Sequence, residues 1–131
     1  MMISGIQYED LLDFARSFAL ADDLCDSSFM ITGATGLIGS SLIRCLLALD
    51  NGIHIVAPVR DLSKAKSLFE ETDGRVEWIE CNLTSFDYSQ IENVDFVIHC
   101  ASPTNGKFVQ DHPVETYEYD QIGRASCRER V

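Results

Sequence analysis

The residues of this sequence best suited to chemistry form the run Thr32-Gly33-Ala34-Thr35-Gly36-Leu37-Ile38-Gly39, a T-G-x-x-G-x-x-G pattern set between a strand-like and a helix-like segment. Gly33 can make the tight turn that leaves the strand. Gly36 leaves room for backbone to approach a pyrophosphate, and Gly39 lets the following helix pack closely on the sheet. The unpaired N–H groups at such a helix start favour an anion. The run is expected to cradle a dinucleotide; the competing reading is a glycine turn that only shapes the backbone.

A second recognition element belongs at the end of the next strand, about 20 residues beyond the last glycine, where a side chain meets the adenosine ribose. Arg60 and Asp61 stand there. An acid would hydrogen-bond the ribose 2'-hydroxyl and select NAD, whereas an arginine would pair with a 2'-phosphate and accept NADP. With Arg60 nearer the strand end, the balance leans to NADP and leaves NAD open. An exposed ion pair at a helix start is the other reading of the two residues.

These side chains need elements to hold them. Tyr8 to Leu20 has apolar residues at helical spacing and predicts an amphipathic leader helix, joined by a polar stretch to a strand at Phe29 to Thr32. Leu37 to Leu49 predicts a helix closed by Asn51-Gly52, Ile53 to Val59 a second strand, and Asp61 or Ser63 the cap of a helix carrying Ala65, Leu68 and Phe69. Val76 to Ile79 and Val94 to His99 predict two more strands, with a loop or short helix at Phe86 to Ile91. Alternating strands and helices imply an α/β fold with a parallel sheet covered on both faces. Right-handed crossovers then give the order 3-2-1-4, the first part of a Rossmann-like doubly wound sheet.

Composition narrows the classes. The chain has 131 residues, 46% of them hydrophobic, which suits one globular domain or part of one. A net charge of −11 argues against a nucleic-acid partner. No apolar run is long enough to cross a bilayer and the N-terminus is acidic, so no membrane partner is expected and the expected compartment is the cytoplasm. The five cysteines at 25, 45, 81, 100 and 127 form no C-x-x-C pair, and no metal site is expected.

The glycine spacing resembles that of the extended short-chain dehydrogenase/reductase family, of the NAD-dependent epimerase/dehydratase, nucleotide-sugar type, over about residues 8 to 121. Two further stretches fit the resemblance. Asn82-Leu83 follows the third strand, where the family has an Asp and an aliphatic residue, the carboxylate binding the adenine amino group. The Asn82 carbonyl can accept that bond without the charge. His99-Cys100-Ala101-Ser102 resembles the family's H-x-A-[AS] segment, in which Cys100, Ala101 and Ser102 would let backbone lie against the cofactor; His99 is given no proton-transfer role. Ser102-Pro103-Thr104-Asn105 and Phe108 to Thr116 resemble the loop that borders the family's active site, with Thr104 and Asn105 as candidates at the substrate cleft. The resemblance implies NAD or NADP as cofactor, a nucleotide-sugar substrate, and an intact parent that pairs as a homodimer. Two alternatives stand beside it: an NADPH-dependent carbonyl reductase of the same superfamily, and a non-catalytic dinucleotide-binding sensor module.

The family's chemistry uses a Tyr-x-x-x-Lys pair, and none occurs here. Tyr8, Tyr88, Tyr117 and Tyr119 have no lysine four residues on, so no catalytic residue is assigned. In that pair the lysine and the nicotinamide ribose lower the tyrosine pKa, so that it exchanges a proton while hydride moves. The final ten residues, Ile122 to Val131 (IGRASCRERV), contain three arginines and resemble the translation of a sequencing adapter. They are expected to interrupt the helix starting at Pro113. The expected organisation is therefore a leader helix and linker over 1–28, a partial dinucleotide-binding domain over 29–121 with its later strands missing, and a non-native tail over 122–131. Such a fragment is expected to be inactive, weak in cofactor binding and marginally stable.

Overall fold

A computed structural model of the chain describes residues 5–70, 72–102 and 106–128. In chain order the elements are α1 (Gly5–Ser17), β1 (Ser28–Thr32), α2 (Leu37–Ala48), β2 (His54–Val59), α3 (Leu62–Leu68), β3 (Val76–Glu80), a 3-10 turn (Tyr88–Gln90), β4 (Phe96–His99), α4 (Gly106–Asp111) and α5 (Pro113–Arg128). The four strands make one sheet in the order β3-β2-β1-β4, every neighbouring pair parallel, as the alternating pattern predicts.

Both faces of the sheet are covered, which is why the strands are apolar at nearly every position. Phe29 and Ile31 of β1 and Ile55, Ala57 and Val59 of β2 face one way. There they meet Ile43 and Leu46 of α2, Ala65 of α3, and Phe69 just beyond it. Met30 and Val56 face the other way, against Leu83, Tyr88 and Ile91 of the loop after β3 and Tyr119 and Ile122 of α5. Met30, Ile31 and Ile55 are wholly excluded from solvent. Truncating any of them to Ala is expected to cost roughly 2–5 kcal/mol.

Pro58 is fully buried in β2, a strand with neighbours on both sides. The His54 N–H reaches Ser27 while the Ile55 N–H reaches Arg75, so even-numbered N–H groups of β2 point to β1 and odd-numbered ones to β3. The missing donor of Pro58 is thus on the β1 side, beyond the last β1–β2 pair, Met30 with Val56. Proline is tolerated because it stands where the two strands already part.

Beyond one-residue shifts, the elements differ from expectation in four places, the first being α1, which spans Gly5–Ser17 rather than Tyr8 to Leu20. β4 begins at Phe96 rather than Val94, because Asn93 takes a left-handed turn (φ 57°) and Asp95 is spent on β1, its carboxylate accepting from the Ser28 N–H at 2.8 Å. The short helix α4 had no sequence signal of its own. The break expected at Ile122 is absent, and α5 continues to Arg128. Ile122 lies three residues after Tyr119 on the same buried stripe, so the packing that holds the helix carries on past Gln121.

Three aspartates join Asn93 at strand entrances with positive φ: Asp26 before β1, Asp50 before β2 and Asp73 before β3. Asp and Asn tolerate this region better than other side chains. All four stand at the end of the sheet opposite the glycine turn.

Candidate dinucleotide-binding site

The glycine run leaves β1 at the centre of the sheet, between β2 and β4. Gly33 has φ +71°, and a Cβ placed on it would lie 2.5 Å from the Cys100 carbonyl carbon and 2.7 Å from the Ala101 nitrogen. A Cβ on Gly39 would lie 2.1 Å from the Gly33 oxygen. Both glycines are therefore required by the protein's own backbone. Gly36 differs: its Cβ would meet only the Gly33 oxygen, at 3.3 Å, and the residue faces solvent. The space in front of Gly36 is left for something other than this chain.

Gly36 is the N-cap of α2 in extended geometry, and no side chain caps that end of the helix. The N–H groups of the first turn and the positive end of the helix dipole are thus turned outward. Leu37 and Ile38 beside them are 86% and 72% exposed, apolar surface at the mouth of a polar cradle. Ala34 is fully buried, and Thr35 is half-buried in the turn.

Thr32 locks the turn to β4. Its Oγ1 accepts the N–H groups of Cys100 at 3.1 Å and Ala101 at 3.2 Å. Both lone pairs being used, its own O–H donates to His99 Nδ1, 2.6 Å away. His99 then carries its proton on Nε2, a buried atom with no hydrogen-bond partner among the described residues. These bonds hold the Cys100–Ala101 backbone against Gly33. Burial raises the Cys100 thiol above its ordinary pKa, so it stays protonated near neutrality. Ser102 is exposed and donates to Asp120 of α5 at 2.8 Å.

Arg60 and Asp61, adjacent in sequence, do separate jobs. Asp61 caps α3, its Oδ1 accepting the Lys64 N–H at 3.0 Å. Arg60 reaches across to α5, where Nη1 donates to the Tyr119 hydroxyl at 3.3 Å and the guanidinium carbon lies 5.8 Å from the ring centroid. The two do not pair with each other. At the end of β3 the Asn82 Oδ1 accepts both the N–H (3.1 Å) and the hydroxyl (2.9 Å) of Thr84, so the carbonyl expected for adenine is already engaged. Leu83 is buried, and its carbonyl accepts the Tyr88 hydroxyl at 2.6 Å.

The glycine turn, Arg60, Asn82 and the Cys100–Ser102 segment all follow the carboxyl ends of strands in one parallel sheet. Pro103, Thr104 and Asn105 lie outside the described residues. Tyr119 and Asp120, which tether Arg60 and Ser102, were missed in the sequence; the one available signal was the helical spacing of Tyr119 and Ile122. No group of three or more His, Cys, Asp or Glu among the described residues is placed to hold a metal ion. No helix among them is long and apolar enough to cross a membrane.

A parallel α/β sheet with an uncapped helix start behind a glycine turn defines a dinucleotide-binding domain. Residues 29–126 match the model of the NAD dependent epimerase/dehydratase family, and the chain belongs to that family, whose cofactor is a nicotinamide dinucleotide. It is 34% identical over 102 residues to tetraketide alpha-pyrone reductase 2 of Arabidopsis thaliana, covering 73% of this chain and 31% of that protein. It is 35% identical over 78 residues to the short-chain dehydrogenase/reductase prx1 of Penicillium rubens, covering 58% of this chain and 22% of that one. The fold resembles the X-ray structure of Pen from Bacillus thuringiensis, with a TM-score of 0.68 and 24% identity over 81% of this chain and 34% of that one. The chain thus spans about a third or less of the length of these relatives.

Proposed function

We propose that this chain is the cofactor-binding N-terminal part of an NADP-dependent oxidoreductase that reduces a carbonyl group in a small molecule. The cradle at Gly36 supports the binding half of this reading: outward N–H groups and open space sit where a pyrophosphate is bound in such folds. Thr32, Gly33, Ala34, Thr35 and Gly39 shape that cradle, Leu37 and Ile38 flank it, and Cys100, Ala101 and Ser102 bound it on the β4 side. Arg60 is assigned to the ribose 2'-phosphate, with Asn82 and Leu83 bordering the adenine. Asp61, engaged with its own helix, is the weaker partner for a ribose hydroxyl.

When bound, the nicotinamide supplies or accepts a hydride. This chain's residues hold and orient it; no proton donor for the carbonyl oxygen is assigned among them, since the sequence has no Tyr-x-x-x-Lys pair. The 131-residue chain alone is therefore proposed to bind cofactor without turnover. The reductase named among the relatives supports carbonyl reduction. The family's epimerase/dehydratase name supports a second reading, a nucleotide-sugar substrate oxidised transiently at a ring hydroxyl.

Calorimetric titration of the chain with NADPH and NADH tests the binding half, with NADPH expected to be tighter. Failure of both cofactors to bind a folded chain sinks the reading. Assaying the longest product of the gene against small carbonyl compounds and against nucleotide-sugars separates the two substrate classes.

A further inference from the structure

We infer that Tyr119 is a specificity-determining residue for the cofactor, holding the Arg60 guanidinium at the adenosine end of the cradle so that α5 and the end of β2 together set the choice of NADP over NAD. The inference rests on the cofactor reading above and adds to it a second residue, from a different element.

An exposed arginine is by itself an inefficient phosphate receptor, because its long side chain must be ordered when the ligand arrives. Arg60 is already held against Tyr119. Tyr119 is only 7% exposed, wedged among Met30, Val56, Leu83 and Tyr88, so its hydroxyl and ring form a fixed platform. The hydroxyl takes one guanidinium N–H at 3.3 Å, and the guanidinium lies over the ring at 5.8 Å. An arginine has five such donors, so enough remain for a bidentate grip on a phosphate.

Among the described residues no acid competes for the charge. Asp61 caps α3 through Lys64, and among the described residues Arg60 has no carboxylate partner. Glu80, across the strand ends on β3, accepts instead from the Leu62 N–H at 2.9 Å. A cation held by a neutral hydroxyl and a ring, not by an acid, keeps its affinity for an incoming dianion. Tyr119 touches Arg60 and is assigned no contact with the cofactor, so it acts as a positioning residue.

The experiment compares two fragments of the cofactors, adenosine 2',5'-bisphosphate and 5'-AMP, by calorimetry on the full chain. They differ only in the 2'-phosphate. The unaltered protein is expected to bind the bisphosphate at least ~10-fold more tightly, and Arg60→Ala to abolish the difference. Tyr119→Phe keeps the ring and loses the hydroxyl, and is expected to weaken the bisphosphate roughly three- to tenfold while leaving 5'-AMP unchanged. In the double variant the second substitution should add nothing. Arg60→Lys, at a solvent-exposed position, keeps the charge but not the planar grip, and is expected to lose most of the discrimination.

A Tyr119→Phe protein that discriminates as the parent does, or that loses both ligands equally, overturns the inference and leaves the role of Arg60 standing. If Tyr119→Phe does not fold, Tyr119→Met, which also lacks the hydroxyl, takes its place, and undiminished discrimination there overturns the inference instead. An unaltered protein with no preference for the bisphosphate removes the NADP reading and this inference with it.

Discussion

At the scale of single residues, the three glycines of the turn have different reasons to exist, and substitution separates them. Gly39→Ala would drive a Cβ to 2.1 Å from the Gly33 oxygen, a collision with backbone that cannot relax cheaply. It is expected to cost about 3 kcal/mol or more, read as a fall in the urea midpoint. Gly36→Ala meets its neighbour at 3.3 Å and should change stability by no more than about 1 kcal/mol, yet weaken dinucleotide binding at least ~10-fold by calorimetry. Equal effects of the two would mean that the turn is structural only. Thr32→Val leaves the Ala101 N–H and His99 Nδ1 without their partner, while the Cys100 N–H keeps the Thr32 carbonyl at 3.1 Å, and should lower stability by roughly 1–3 kcal/mol in the same unfolding assay. Thr32→Ser should restore most of it. The glycine pattern was legible because it is local. The split between Arg60 and Asp61 was not, because Tyr119 lies 59 residues beyond Arg60 in the chain.

At the scale of elements, four strands and their order could be read from β-branched runs separated by helix signals, since parallel topology follows from a single handedness rule. Misread boundaries trace to contacts distant in sequence, such as Asp95 serving β1 and Ile122 continuing a stripe whose partners are Met30 and Val56. The loop between β3 and β4 also carries a pH dependence that no local pattern announces. Burial, and behind it the negative charge that Cys81 and Tyr119 would carry, pushes the Tyr88 phenol well above its ordinary range. Burial likewise raises the thiols of Cys45, Cys81 and Cys100. All four groups lose their protons sooner in the unfolded chain than in the folded one. Their contribution is therefore complete below the ordinary thiol pKa and lost as pH rises through the ordinary values toward the folded ones. The urea midpoint should be flat from pH 6 to 8 and fall above roughly pH 9. A midpoint that holds constant to pH 11 would contradict this assignment.

At the scale of the whole molecule, the carboxyl end of the sheet carries fixed positive groups beside the acids Asp61 and Glu80, and the entrance end carries aspartates. Backbone N–H groups of α2 and the guanidinium of Arg60 gather at the carboxyl ends of the strands, while Asp26, Asp50 and Asp73 gather at the opposite ends, where the strands are entered. The chain as a whole carries a net charge of −11, and its inferred ligand is also an anion. Encounter is then opposed from afar by the body of the protein and favoured only close to the cradle, within about a Debye length. Salt screens the distant repulsion before it reaches the short-range grip. In stopped-flow mixing, the association rate for NADPH should therefore rise between 10 and 150 mM salt, on the order of twofold, the reverse of ordinary electrostatic steering. The dissociation rate, set by contacts at close quarters, should rise as well. The acid excess of the whole chain, to which the aspartates that let it turn into its strands contribute, would thus also govern how quickly the nucleotide arrives.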